Sequence, residues 1–195
     1  MSELKFTIVR SHEQKTATWV GGTTTQLFIS PQNTTYQAFD FDYRMSYATV
    51  DAPESTFTKM PGVTRHLMIL NGKLDLNHEG RLKHLEPLEP YEFNGEWPTT
   101  AKGKVMDFNL MVRNQYKGQL SANQFQPNEI LKIEAASPIL GIYVYQGICS
   151  LLTNDKKISR LTQGDFIYVE HASKITLSNE LHPSTIIIAN VWKPT

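Results

Sequence analysis

Residues 65–93 read RHLMILNGKLDLNHEGRLKHLEPLEPYEF. Apolar and polar positions alternate with a period of two, and Gly or Pro interrupts every few residues, which is the signature of short strands joined by tight turns. The order is strand, Gly turn, strand, turn, short strand, turn, strand. Asn71-Gly72 reads as a two-residue hairpin, because that dipeptide accepts positive φ at both positions. Residues 140–170, LGIYVYQGICSLLTNDKKISRLTQGDFIYVE, repeat the same order. Gly147 stands where Gly72 stood, Ile158 takes the place of Leu82, and Phe166 that of Phe93. Asn154-Asp155 marks a further turn. A duplicated small β-barrel would produce this pattern.

The rest of the chain agrees. FTIV, TQLFIS, FDYRMSYATV and KVMDFNLMV are strand candidates in the first half; EILKIEA, KITLS and STIIIANVW follow in the second. Helical periodicity is scarce, although VDAPEST could hold one helical turn. RNQYKGQLSANQFQPNE, residues 113–129, is rich in Asn, Gln and Ser and reads as the connector between the halves.

The 195 residues suffice for one large or two small domains. Hydrophobic residues make up 40% and charged residues 19%, enough to build a core. Lys plus Arg and Asp plus Glu are each 19, so the formal charge is zero. That argues against a nucleic-acid footprint or a polybasic membrane contact. No window approaches the length of a membrane span, and MSELKFTIVRSHEQK lacks a signal-peptide core, so the expectation is a cytoplasmic protein. The single cysteine, Cys149, lies in an apolar run and reads as a small buried hydrophobe.

Metal chemistry is not indicated. The six histidines are His12, His66, His78, His84, His171 and His182, and no His-x-His pair exists. A metal-binding barrel of this kind usually carries two histidines one residue apart, then a Glu and a later His. His78 and His84 flank a turn and read as solvated, and His171 reads as a surface or turn residue. No nucleophile elbow, P-loop or dinucleotide fingerprint is present. Gly21-Gly22, followed by Thr23, Thr24 and Thr25, reads as a bend entering a strand.

Polar residues inside apolar strands carry more information. Arg44, Ser46 and Ala48 share one strand face, and Arg65, Leu67 and Ile69 share another, with His66 on the reverse side. Asp107 and Asn109 share a face within KVMDFNLM. A buried guanidinium or carboxylate needs a partner. One reading pairs Asp107 with Arg44 or Arg65 as a structural pin. The other leaves one arginine fork open to an anionic ligand, since that fork matches a carboxylate.

WVGGTTTQL, RMSYATV, STFTKMPGVTRHLMILNG, LEPYEFNGEWPT and GKVMDFNLM together resemble the HutD/Ves family of cupin-like proteins. The match runs through Trp19, Gly21, Gly22, Thr24, Gln26, Arg44, Ser46, Ala48, Phe57, Pro61, Gly62, Arg65, Gly72, Phe93, Gly95, Asp107, Asn109 and Met111. The commoner family form has an Asn before the Gly pair; here Val20 runs directly into Gly21. The resemblance implies an all-β bicupin, two small jelly-roll barrels of the RmlC-like cupin type, with residues 1–117 as the first and 118–195 as a degenerate second.

It also implies a small-molecule pocket in the first barrel and no cofactor or metal. Family members are associated with histidine utilisation or stress responses, with a regulatory role that senses a formylglutamate-like acid. The expected partner is therefore a small anionic metabolite carrying a carboxylate. Arg65 or Arg44 would engage it, Asp107 would orient that arginine, and Asn109 and Ser46 would add neutral hydrogen bonds. Trp19 and Phe93 would wall the pocket. Two alternatives stand beside reversible binding. One is a metal-free isomerase or epimerase with Asp107 or His66 as base. The other is a homodimeric interaction module pairing through STIIIANVW.

Overall fold

The structure, a computed structural model, describes residues 5–134, 138–153, 156–171, 174–179 and 181–194. The chain opens with β1 (Lys5–Val9) and a 3-10 turn at Ser11–Glu13. It continues through β2 (Lys15–Trp19), β3 (Gly22–Ser30), β4 (Tyr43–Val50), β5 (Glu54–Thr56), β6 (Thr64–Asn71), β7 (Leu74–His78), β8 (Arg81–Leu85), β9 (Pro90–Asn94), β10 (Thr99–Lys102) and β11 (Val105–Val112). Then come β12 (Lys117–Phe125), β13 (Ile130–Glu134), β14 (Ile139–Gln146), β15 (Ile148–Thr153), β16 (Lys156–Thr162), β17 (Phe166–Glu170), β18 (Lys174–Ser178) and β19 (Ser184–Trp192). The fold is all-β, as the period-two alternation requires.

Two compact units form. The first holds residues 14–120 with the C-terminal residues from Lys193; the second holds residues 121–192 with the segment through Glu13. The division at 117 read from the sequence thus differs at the N-terminus: β1 pairs with β17, in register Phe6 to Val169. The tie is chemical as well. Asp165, 2% exposed, accepts from Arg10 Nη1 at 2.8 Å, Ser11 N at 3.0 Å and Thr162 N at 2.9 Å.

The first unit has a sheet ordered β2-β3-β4-β11-β6-β9 and another ordered β5-β10-β7-β8. The second has β1-β17-β14-β19-β12 and β13-β18-β15-β16. Adding eight to the strand numbers turns β4-β11-β6-β9 into β12-β19-β14-β17, and β5-β10-β7-β8 into β13-β18-β15-β16. The internal repeat is therefore a duplication of one eight-stranded jelly roll. Even the irregularities correspond: the β11–β6 ladder slips at Met106/Asp107, and the β14–β19 ladder slips at Val144/Gln146.

Four local expectations are corrected. Asn71-Gly72 is not a hairpin, because β6 and β7 lie in different sheets. Gly72 (φ 85) turns the chain from one sheet to the other where a Cβ would collide with the Lys104 carbonyl, and Gly147 (φ 88) makes the same crossing. VDAPEST contributes the edge strand β5 instead of a helical turn, since its backbone pairs with β10. The expected connector is mostly β12, a sheet-edge strand whose outer positions tolerate Gln, Ser and Asn. STIIIANVW is β19, flanked by β14 and β12, so its backbone edges are both occupied. Asn154-Asp155 lies outside the described residues.

The second unit is filled. Phe125, Leu140, Ile142, Val144, Leu151, Leu161, Ile167, Ile186 and Ile188 belong to one apolar cluster, with Cys149 among them. The first unit is divided instead. One apolar cluster includes Leu67, Ile69, Leu76, Phe93 and Val105; a second includes Ile29, Phe41, Met60, Val63 and Met111. Polar side chains occupy the ground between them.

Candidate functional site

Three adjacent strands set the polar ground. In the ladders joining β4, β11 and β6, Arg44 and Arg65 flank Met111 in one row. Ser46 and Leu67 flank Asn109 in the next, and Ala48 and Ile69 flank Asp107 in the third. Because successive side chains alternate faces, every one of these points inward. The Gln26 pairing with Ser46 brings a further amide from β3.

The hydrogen bonds form two chains. Arg44 Nε donates to Gln26 Oε1 and its Nη1 to Ser46 Oγ, both at 2.9 Å. Arg65 Nη2 donates to Asn109 Oδ1 at 3.2 Å, and Asn109 Nδ2 donates to Asp107 Oδ1 at 2.9 Å. Asp107 forms no ion pair among the described residues; Asn109 stands between it and Arg65. The expectation that Asp107 directly orients an arginine is corrected to a relay through the amide.

These groups border a cavity of about 670 Å³. Arg44, Ser46, Asn109, Asp107, Gln26 and Trp19 line it; its rim includes β2 and residues 55–58. β2 and β5 are edge strands of the two sheets, so the cavity opens along the seam where the sheets end. Of the charged side chains on its wall, Lys15 and Arg44 are cationic and Asp107 is anionic.

Burial shapes the charges. Desolvation lowers Arg44 to about 10, partly offset by Tyr36, whose ring lies 4.7 Å from the guanidinium carbon. Arg44 therefore remains charged at neutral pH. Desolvation pushes the Asp107 carboxyl up to about 6, against the Asn109 hydrogen bond and the charge of Arg65. Near neutrality the site carries more positive than negative charge, and it becomes more positive as Asp107 takes a proton.

Arg65 and Phe93 do not line this cavity. Arg65 is 7% exposed and abuts two rings that touch each other, its guanidinium carbon 4.5 Å from the Phe57 centroid and 5.5 Å from that of Phe93, with the centroids 6.0 Å apart. Its Nε is buried without a partner, a cost of about 1–3 kcal/mol. Phe93 instead packs among His78, Tyr91 and Phe57. Trp19 is on the wall as expected, 41% exposed, with Nε1 donating to Thr24 Oγ1 at 3.2 Å. Its ring covers Gly21, where any Cβ would clash.

The histidines divide differently from expectation. His84 and His171 are exposed, but His78 is 4% exposed, its Nδ1 within 2.8 Å of Thr99 Oγ1 among Tyr91, Phe93 and Trp97. Strand parity places it inside; its position beside a turn concealed that. His66 lies on the reverse face of β6, beside Glu92 and Gly118, away from Asp107. Sequence reasoning also missed Lys15, Gln26, Tyr36 and Phe57 as wall or cover residues. The signal for Gln26 was available in its parity with Thr24.

Among the described residues no three His, Cys, Asp or Glu side chains converge as metal ligands. Two cations and one carboxylate form a donor set that does not fit a divalent ion.

The two-sheet jelly rolls, one enclosing a polar cavity, define a cupin-like protein. The HutD family profile matches residues 11–186, and the chain belongs to the HutD family. Among solved structures, a conserved protein of unknown function from Pseudomonas aeruginosa PAO1 superposes with a TM-score of 0.82 at 18% identity, covering 96% of this chain and 99% of that one. HutD from Pseudomonas fluorescens SBW25 gives 0.74 at 18%, covering 98% and 100%. The bacterial pirin YhhW from Escherichia coli, solved with nickel(II), gives 0.71 at 9%, covering 98% and 100%. These likenesses establish the fold. No curated protein sequence matches.

Proposed function

We propose that the first unit reversibly binds a small acidic metabolite, with Arg44 as the cation that receives its carboxylate. The observation that carries this reading is the duplication. The second unit has the same strand order, and at the positions of Arg65, Asn109 and Asp107 it holds Leu140, Ile188 and Ile186, all buried in a continuous core. The fold therefore does not require those polar groups, and burying them costs desolvation that apolar residues avoid. That cost supports a functional reason for keeping them, with Asn109 and Asp107 on the cavity wall.

Binding needs no chemistry beyond placement. Gln26 and Ser46 hold the Arg44 fork, leaving Nη2 without a protein partner among the described residues. A ligand carboxylate can complete that fork, while Asn109 and Lys15 offer further donors. Membership of the HutD family supports a regulatory role for the bound state, and we place the protein in the cytoplasm. The test is thermal: an acid bound at one hundred times its Kd stabilises by about 2.7 kcal/mol. Arg44→Gln should abolish that stabilisation. If no acid in a broad metabolite panel moves the melting temperature, the reading fails.

A second reading has one observation in its favour. Asp107 lines the cavity with its carboxyl pushed up to about 6, a range suited to a general base. His66 is withdrawn as an alternative base because it faces the other side of the sheet. Turnover of a sugar or acid that Asp107→Asn abolishes, with binding retained, would establish this reading.

A further inference from the structure

We infer that the acid is a short extended peptide, which enters by its C-terminal carboxylate and adds itself as a strand to the free edge of β2. This rests on the acid-binding reading and names its ligand class. β2 is the end strand of its sheet, and all five of its residues are exposed. All five also line the cavity, so the unpaired edge runs along the mouth. Edges are commonly guarded by a proline or a bulge. β2 contains neither and pairs with β3 without a slip, whereas β9, the far edge of the same sheet, begins with Pro90.

The phase of the ladders decides which groups face that mouth. Asp51 N–H donates to the Gly21 carbonyl at 2.9 Å, so Gly21, Thr23 and Thr25 turn their backbone groups toward β4. Gly22, Thr24 and Gln26 therefore turn theirs toward Trp19, Ala17 and Lys15. That leaves the N–H and C=O groups of Thr16 and Thr18 pointing off the sheet, two residues apart as an added strand requires. The opposite bank is built alike. Phe57 N–H donates to the Thr99 carbonyl at 2.9 Å, so Thr56 presents its backbone at the free edge of β5.

Charge sets the direction. Lys15 begins β2 and forms no ion pair among the described residues. It pairs with Gln26, whose side chain accepts from Arg44 Nε, so Lys15 and the open Arg44 Nη2 share one end of the edge. Trp19, 41% exposed, stands at the other end. A peptide that ends at the cations runs antiparallel to β2. Its carboxylate meets Lys15 and Arg44, its backbone pairs with Thr16 and Thr18, and its upstream residues pass Trp19. Alternation sends one side chain inward beside Ala17. A cavity of about 670 Å³ is of the size that takes a drug-sized ligand.

The probe is a pool of acetylated random pentapeptides, made once with a free C-terminus and once as the amide, and passed over the immobilised full chain. Mass spectrometry should find the free-acid pool enriched at least fivefold over the amide pool, and Arg44→Gln should abolish the difference. With the retained peptides bound, amide hydrogen exchange should slow at least tenfold at Thr16 and Thr18 and stay within twofold at Ala17, which already faces Thr24. Thr18→Pro removes one edge donor where an edge strand tolerates proline, and should lower retention at least tenfold. If that variant does not fold, the exchange pattern of the unaltered chain decides. Equal retention of both pools overturns the carboxylate anchor. Retention without slowed exchange at Thr16 and Thr18 overturns the strand addition. If an acid of the metabolite panel raises the melting temperature but neither pool is retained, the cavity takes small acids alone and the peptide is overturned. If neither the pools nor any acid binds, the acid-binding reading has failed as well.

Discussion

Two buried carboxyls in this chain titrate in opposite directions. Asp165 accepts hydrogen bonds from Arg10, Ser11 and Thr162, which hold it below the usual carboxylate range despite burial. It contributes stability above the ordinary carboxylate pKa and loses it as pH falls through its lowered value. Asp107 has one neutral donor and is pushed up to about 6. The folded chain holds that proton more tightly than the unfolded chain, so this group adds stability as pH falls from 7 toward 4. A rise of about two units corresponds to about 3 kcal/mol. Asp107→Asn should therefore be more stable than wild type at pH 7.5, with the gap closing toward pH 4, in urea titrations at both ends. Parallel curves would refute the assignment. The same proton removes a negative charge from the cavity, so acid binding should tighten as pH falls through 6. Cys149 makes a simpler case. Burial pushes its thiol up to about 12, so iodoacetamide should label it only on global unfolding.

At the scale of elements, the crossings between sheets matter more than the hairpins. Gly72 and Gly147 occupy the same place in the two jelly rolls, each at positive φ and each facing a backbone carbonyl. Gly62 also has positive φ (72), but a Cβ there would meet nothing. Gly62→Ala should cost about 1 kcal/mol from backbone conformation alone, and Gly72→Ala distinctly more, because the crossing must shift as well. Denaturant midpoints for the pair would decide this; equal losses would contradict the role given to the Lys104 carbonyl. The tie at Asp165 is an element-scale device too. Asp165→Ala strands Arg10 and two backbone donors, and should destabilise by about 3 kcal/mol in the same measurement.

For the whole molecule, the duplication is its own control experiment. One copy is packed with aliphatic side chains, and the other trades part of its core for a polar cavity. Transplanting the filled solution tests that trade. Arg65→Leu, Asn109→Ile and Asp107→Ile together should leave the circular dichroism of the fold intact, with stability equal to or above wild type. Acid-induced thermal stabilisation should fall with them. A triple variant that unfolds would show that the polar rows serve the scaffold.

Alternation, glycine spacing and the echo between residues 65–93 and 140–170 determined, without coordinates, that the chain is all-β and built twice. They also put Arg44 with Ser46, and Asp107 with Asn109, on shared strand faces, because a strand's parity is a local property. Tertiary structure decided what parity cannot express. Whether Asn71-Gly72 closes a hairpin or changes sheets depends on which distant strands accept β6 and β7. Whether β19 is an edge depends on β12 and β14 taking both its sides. Which of the two buried arginines borders the cavity depends on packing among residues far apart in the chain, with Arg44 and Phe57 on its wall and Arg65 off it.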